Sequence, residues 1–189
     1  MNRLQKDDVL QEQAHRKKGL VIVYTGNGKG KTTASMGALI RATGQGLKAG
    51  VIQFIKSPER IYGEAIIANK LGIPFESSGD GFTFDQETNE GAKNLAQAAW
   101  DKAKAWISSG NFDLVILDEI TYTMSYGWNK VEEVVSWLKA NKPADMHIIM
   151  TGRNAPEELI EYADLVSEMR EIKHPFRLQK IPAQKGIDF

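Results

Sequence analysis

One run, Thr25-Gly26-Asn27-Gly28-Lys29-Gly30-Lys31-Thr32-Thr33, gathers the residue types in this chain best suited to chemistry. Glycines let successive backbone N–H groups turn inward onto phosphate oxygens. A lysine adds a point charge and a threonine hydroxyl can ligate Mg²⁺, and Lys31 and Thr32 hold those two places. Such a loop needs a strand before it and a helix after it, because the helix contributes its positive end. Leu20 to Tyr24 is short, apolar and β-branched, as a buried strand is, and Ala34 to Ala42 is compatible with a helix. Strand, Gly-rich loop, Lys-Thr and helix in that order form a phosphate-binding P-loop unit. The usual pattern has a glycine five positions before the Gly-Lys-Thr glycine. Thr25 holds that place, and the glycine comes one residue late, at Gly26.

A second constellation follows about 85 residues later. Leu114-Val115-Ile116-Leu117-Asp118-Glu119 is an apolar strand ending in two acids. Apolar runs ending this way are common, but downstream of a P-loop the signal becomes specific. The strand is then expected beside the P-loop strand, with a terminal carboxylate facing Mg²⁺ directly or through water. Arg153, after a later strand, is a candidate for stabilising phosphate charge, or else a loop salt bridge. His15, His147 and His174 are scattered without ligand spacing, so no transition-metal site is expected. The absence of cysteine excludes disulfides, thiolate metal sites and a cysteine nucleophile.

Elements alternate along the chain. After the first helix, Gly44-Gln45-Gly46 reads as a stop, and Val51 to Ile55 as a second strand ended by Lys56-Ser57-Pro58. A short helix is predicted over Gly63 to Lys70 and a short strand at Pro74-Phe75-Glu76. Ser77 to Asp85 is a glycine-containing loop carrying Phe82 and Phe84. From about Asn89 to Ser108, Ala92, Leu95, Ala96, Ala99, Ala103, Trp106 and Ile107 recur at helical spacing, which predicts one apolar face with Trp106 in the core. Val131, Val134, Val135 and Leu138 stripe another helix. His147 to Thr151 is a strand, Pro156 to Tyr162 begins a helix, and Leu165 to Ile172 is a last strand whose charges suggest a sheet edge. The tail from Lys173 to Phe189 shows no clear periodicity. The alternation predicts an α/β fold with a mostly parallel central sheet and helices on both faces. Ligands then belong at the carboxyl ends of the strands, where the P-loop and Asp118-Glu119 both fall.

The 189 residues suit one domain, read as residues 19–189, preceded by a hydrophilic tail or lid over residues 1–18. Lys+Arg and Asp+Glu number 24 each, a balance that gives no support to a nucleic-acid or membrane-surface role. No apolar run approaches the roughly 20 residues a bilayer requires, and the polar start is not a signal peptide, so cytoplasmic residence is expected.

The residues alone therefore indicate a Mg²⁺–nucleoside triphosphate protein. No Asn-Lys-x-Asp signature for guanine is present, which favours ATP. The reaction stays open at this level. A phosphoryl-transferring ATPase, a small-molecule kinase and a nucleotide-switched binding module remain possible, although no Arg-rich lid is evident beyond Arg16-Lys17-Lys18.

Six stretches together resemble the P-loop ATP:co(I)rrinoid adenosyltransferases: Thr25 to Thr33, Val51 to Lys56, Gly81-Phe82-Thr83, Leu117 to Tyr122, Thr151-Gly152-Arg153, and Ser167-Glu168-Met169-Arg170 with Lys173-His174-Pro175-Phe176. The similarity runs from about Leu20 to the closing Gly186-Ile187-Asp188-Phe189, and the late glycine is itself a family trait. The resemblance implies a RecA-like P-loop NTPase fold and transfer of the 5′-deoxyadenosyl group of ATP to Co(I) of a corrinoid, with triphosphate leaving, in cobalamin biosynthesis or salvage. It implies that Gly26, Asn27, Gly28, Lys29, Gly30, Lys31, Thr32 and Thr33 hold the triphosphate. Thr32 and Glu119 would hold Mg²⁺ with Asp118 behind them, and Arg41 would lie near phosphate or nucleotide. Phe82 would fill the lower face of the corrinoid and help displace its axial ligand, which eases reduction of Co(II). Phe84 stands where the family often has Trp, keeping apolar surface without the indole N–H. The resemblance also implies a reduced flavin or flavodoxin-like electron donor, a homodimer, and an N-terminal segment folded over the site.

Overall fold

The computed structural model describes residues 18–56, 62–79 and 90–189. Six strands, β1 (Val21–Thr25), β2 (Ala49–Phe54), β3 (Phe75–Ser78), β4 (Leu114–Asp118), β5 (His147–Thr151) and β6 (Leu165–Glu168), form one sheet in the order β3-β2-β4-β5-β1-β6. Every neighbouring pair is parallel. Seven helices accompany them among the described residues, the last after β6: α1 (Lys31–Gly44), α2 (Gly63–Lys70), α3 (Glu90–Ser108), α4 (Ile120–Ser125), α5 (Val131–Asn141), α6 (Glu157–Tyr162) and α7 (Pro175–Gln179).

Side chains on a strand point alternately to its two faces, so a strand buried on both must be apolar at every position. The central strands obey this except at Gln53 inside β2 and at the strand ends Thr25, Asp118 and Thr151. Val21, Val23, Ile52, Phe54, Val115, Leu117, Ile148 and Met150 join one cluster with Ala99, Trp100, Ala103 and Ile107 of α3 and Val134, Val135 and Leu138 of α5. Their alternates, Val51, Leu114, Ile116 and Ile149, join the opposite cluster with Leu39 of α1 and Ala68 of α2. Each fully buried aliphatic side chain contributes about 1.5–3 kcal/mol. The two-sided core, more than any one ladder of hydrogen bonds, therefore fixes the sheet.

Three expectations need correction. The acidic strand β4 does not lie beside β1, because β5 is inserted between them and pairs with both. Asp118 nevertheless reaches the P-loop, because Thr32 in the first turn of α1 hydrogen-bonds to it. On α3 the apolar face is rotated from the predicted one. Leu95 is exposed and Trp106 only half-buried, stacked on Phe112 with ring centroids 4.8 Å apart, while Trp100 is the buried tryptophan, edge-on to Trp137 at 5.6 Å. The last strand is an edge, as its charges suggest, but stops at Glu168. Beyond it the tail contains α7, started by Pro175 at a position where the missing N–H costs nothing.

Lys18 pairs with Asp164, whose second oxygen accepts the Val21 N–H at 2.9 Å. Those two bonds hold the Asp164 carboxyl below the usual range and tie the chain's entry to the amino end of the sheet. The lid reading of residues 1–18 otherwise lies outside the described residues. No helix among the described residues is long and apolar enough to cross a membrane.

Candidate nucleotide site

The loop after β1 bends over the segment that follows β6. The Gly28 N–H donates to Met169 O at 2.6 Å, and the Met169 N–H donates to Thr25 O at 2.8 Å. This contact explains the late glycine. Gly26 has φ +94°, and a Cβ there would lie 2.5 Å from Met169 O; one at Gly28 would lie 2.7 Å from the same atom. Thr25 can replace the usual glycine because it still belongs to β1, where its hydroxyl accepts the Ala155 N–H at 3.1 Å.

Lys31 folds back into the loop. Its ammonium donates to Gly26 O at 2.8 Å and Gly28 O at 2.7 Å, which draws both carbonyls toward one charge. Partial burial lowers its pKa, and Arg153 nearby adds to the effect against the pull of Glu119 and Asp118.

Asp118 ends β4 fully buried and collects three donors: Thr32 Oγ1 at 3.0 Å, Thr151 Oγ1 at 2.7 Å and Gln53 Nε2 at 2.9 Å. Side chains from β2, β5 and α1 thus converge on one carboxylate at the carboxyl edge of the sheet. A buried charge is tolerated only when satisfied in this way. Glu119 follows in the left-handed conformation, φ 65°, with its N–H on Thr151 Oγ1 at 2.9 Å. That conformation is rare without glycine and costs about 1–3 kcal/mol. It ends the strand and starts α4, and Glu119 lines the cavity. Its Oε2 is buried without a hydrogen-bond partner among the described residues, and burial pushes the carboxyl up to about 7 despite the attraction of Lys56. Glu119 and Thr32 line the same cavity, and carboxylate and hydroxyl oxygens are the donor types a hard, oxygen-seeking cation takes.

These groups border a cavity of about 540 Å³. Of the residues expected to bind, Gly28, Lys29, Gly30, Lys31, Thr32, Thr33 and Glu119 line it. Gly26 sits beneath, through its carbonyl on Lys31. Asn27 faces an adjoining cleft with Glu168, Arg170 and Arg177. Arg153 is brought to the cavity, with its Nε buried and without a partner among the described residues. Arg41 is not: it is exposed in the last turn of α1, about 15 Å along the helix axis from Lys31. Phe82 and Phe84 lie outside the described residues.

Several lining residues had no role assigned from sequence. Tyr122 and the segment Gly186 to Phe189 line the cavity, and Asp188 pairs with Lys29. Burial raises the Tyr122 hydroxyl to about 12, so it stays protonated at neutral pH. Lys56 and Glu64 line it too, with Gln53 behind Asp118. Gln53 was legible in principle, as the lone polar residue inside an apolar strand. Lys56 stays charged. Burial lowers its pKa, but Glu119, Asp118 and Glu64 together outweigh that and raise it.

The fold has a solved counterpart: the flagellar accessory protein FlaH of Methanocaldococcus jannaschii aligns with a TM-score of 0.57, covering 85% of this chain and 76% of that one. At 13% identity the likeness carries the fold alone. Sequence relatives say more. A corrinoid adenosyltransferase of Sinorhizobium sp is 46% identical over 176 residues, 91% of this chain and 81% of that protein. The corrinoid adenosyltransferase of Escherichia coli K12 is 40% identical over 187 residues, covering 98% of this chain and 93% of its own. Corrinoid adenosyltransferase CobA of Salmonella typhimurium is 40% identical over 179 residues, 94% and 89% of the two chains. The family model for ATP:corrinoid adenosyltransferase BtuR/CobO/CobP matches residues 17–189, and with the P-loop and its acidic pair assembled at one cavity, the chain belongs to the ATP:corrinoid adenosyltransferase family.

Proposed function

We propose that this protein transfers the 5′-deoxyadenosyl group of ATP to the cobalt of a reduced corrinoid. The observation that carries the reading is the extent of the family match. It includes both the phosphate loop and the closing Gly186–Phe189 segment that lines the same cavity. Co(I) attacks the ribose C5′ in line; a cobalt–carbon bond forms, the C5′–O bond breaks, and triphosphate leaves with that electron pair. Cobalt is formally oxidised by two electrons. The chain's part is to grip the leaving group. The loop N–H groups and Lys31 hold charge that grows on the triphosphate as C5′–O breaks, so the interaction strengthens toward the transition state. Thr32 and Glu119 would hold Mg²⁺, with Asp118 fixing the Thr32 hydroxyl, and when bound the cation neutralises part of that charge.

Phe82 and Phe84 are assigned to the corrinoid's lower face on the motif match alone, with electrons from a reduced flavin or flavodoxin-like donor. Phe82→Ala is expected to slow the reaction begun from Co(II) at least tenfold more than the reaction begun from supplied Co(I). Equal losses in an anaerobic assay of both would remove Phe82 from ligand displacement. A homodimer is supported by the apolar side chains exposed from β6 to α7: Leu165, Val166, Ile172, Phe176 and Leu178.

The test is product analysis with ATP and cob(I)alamin under argon. Adenosylated corrinoid and intact triphosphate are expected; ADP and phosphate would transfer the protein to the phosphoryl-transferring enzymes.

A further inference from the structure

β2 ends in a strained turn. The Lys56 N–H donates to Phe54 O at 2.7 Å across Ile55, which has φ 67°. This is a three-residue turn of the positive-φ kind, rare and strained, and here its centre is β-branched and buried. The turn is locked from outside: a Cβ on Gly79 would lie 2.2 Å from Ile55 C, so only glycine lets the chain after β3 press against it. Strain of this kind persists where surrounding structure enforces it, commonly at functional sites.

What the turn accomplishes is visible at its end. Lys56 is reversed into the triphosphate cavity, its side chain 14% exposed, with Nζ 4.6 Å from the centre of the Tyr62 ring. Its ionic contacts are long: 3.7 Å to Glu64 and 3.9 Å to Asp118 Oδ2. Charge-assisted N–H···O bonds run about 2.7–2.9 Å. Lys31, by contrast, makes two bonds of that length to its own loop. Among the described residues, Lys56 thus offers a desolvated ammonium whose donors are not spent on its anionic neighbours. Among the described lining residues the basic side chains are Lys29, Lys31, Lys56 and Arg153 and the acidic ones Glu64, Glu119 and Asp188, so without Lys56 the basic groups no longer outnumber the carboxyls.

We propose that Lys56 is a second triphosphate-binding lysine, approaching the phosphates from the β2 side while Lys31 and the loop amides hold them from the β1 side. The role rests on the reading of this cavity as the triphosphate site. It also explains the strained turn, since a relaxed strand end would not reverse the chain at this point.

Binding of inorganic triphosphate with Mg²⁺ to the full chain, read by calorimetry, tests it. Lys56→Met is expected to weaken binding at least tenfold, and Lys56→Met with Glu64→Gln should not recover it. Recovery to within twofold of wild type would mean that Lys56 only balances the carboxylates, and would overturn the proposal. Lys56→Met binding as wild type would overturn it too, provided Lys31→Ala abolishes binding. If Lys31→Ala binds normally, the cavity reading itself fails and the proposal falls with it. A wild-type crystal soaked in triphosphate and Mg²⁺ needs no variant to fold. Lys56 Nζ within hydrogen-bond distance of a phosphate oxygen is expected, and an ammonium still facing Glu64 with no phosphate contact overturns the role.

Discussion

Lys31→Ala is expected to lower adenosyl transfer at least ~10²-fold, the order of loss seen when one preorganised hydrogen-bond donor is removed from a developing anion. Two effects combine. The variant lacks the cation proposed to face the triphosphate, and it also frees Gly26 O and Gly28 O, which Lys31 holds at 2.8 and 2.7 Å. Released carbonyls can turn toward the cavity, where their negative ends oppose phosphate. Lys31→Arg should rescue little, because a planar guanidinium does not bridge two carbonyls within a loop shaped for a compact ammonium. Steady-state rates with ATP and cob(I)alamin, together with triphosphate affinity, measure this. Turnover within threefold of wild type would remove the P-loop from the reaction.

Glu119→Gln is expected to separate stability from function. In the nucleotide-free protein, burial raises the Glu119 carboxyl from 4.5 to about 7. The folded state therefore holds this proton more tightly than the unfolded chain does. The resulting stabilisation is complete below about pH 4.5 and is lost as pH rises through about 7. Above that, a charged carboxylate sits buried with Oε2 unpartnered among the described residues. Glutamine cannot ionise, so the variant should gain stability over wild type between pH 5 and pH 8, by up to ~3 kcal/mol at one pKa unit per ~1.4 kcal/mol. Denaturation curves without nucleotide or divalent cation read this directly, and a difference that does not change with pH would refute it. Function should move the other way. A cation bound at Glu119 must expel the proton, so wild-type Mg²⁺ affinity should rise with pH through 7. Glu119→Gln should flatten that rise and raise the Mg²⁺ needed for half-maximal turnover at least ~10-fold, since losing even a group that only orients a metal ligand costs about 10–100-fold. An unchanged Mg²⁺ curve would deny Glu119 its ligand role.

Both variants concern residues legible in the sequence, and the reason is local. A phosphate loop is made by consecutive backbone amides, so the residues from Gly26 to Thr33 must be neighbours in the chain as well as in space. The same holds for the two-sided apolar strands, whose burial is written into consecutive residues such as Leu114 to Leu117. Helical faces were legible only approximately. The α3 stripe was predicted over Leu95 and Trp106, but Trp100 lies deeper, because partners from α5 decide which part of an apolar arc is covered.

Sequence alone thus determined the parallel α/β class, the phosphate loop and the acidic pair at a strand's end, since each depends on short-range order of side chains and backbone. Tertiary structure decided how those parts meet. It inserted β5 between β4 and β1, met the buried Asp118 charge with donors from Thr32, Gln53 and Thr151, and closed the cavity with residues from the chain's last segment. It also set Ile55 and Glu119 in left-handed turns that no propensity would favour. Such features arise where packing from distant segments outweighs local preference: a strained turn of about 1–3 kcal/mol persists when a two-sided core around it supplies more.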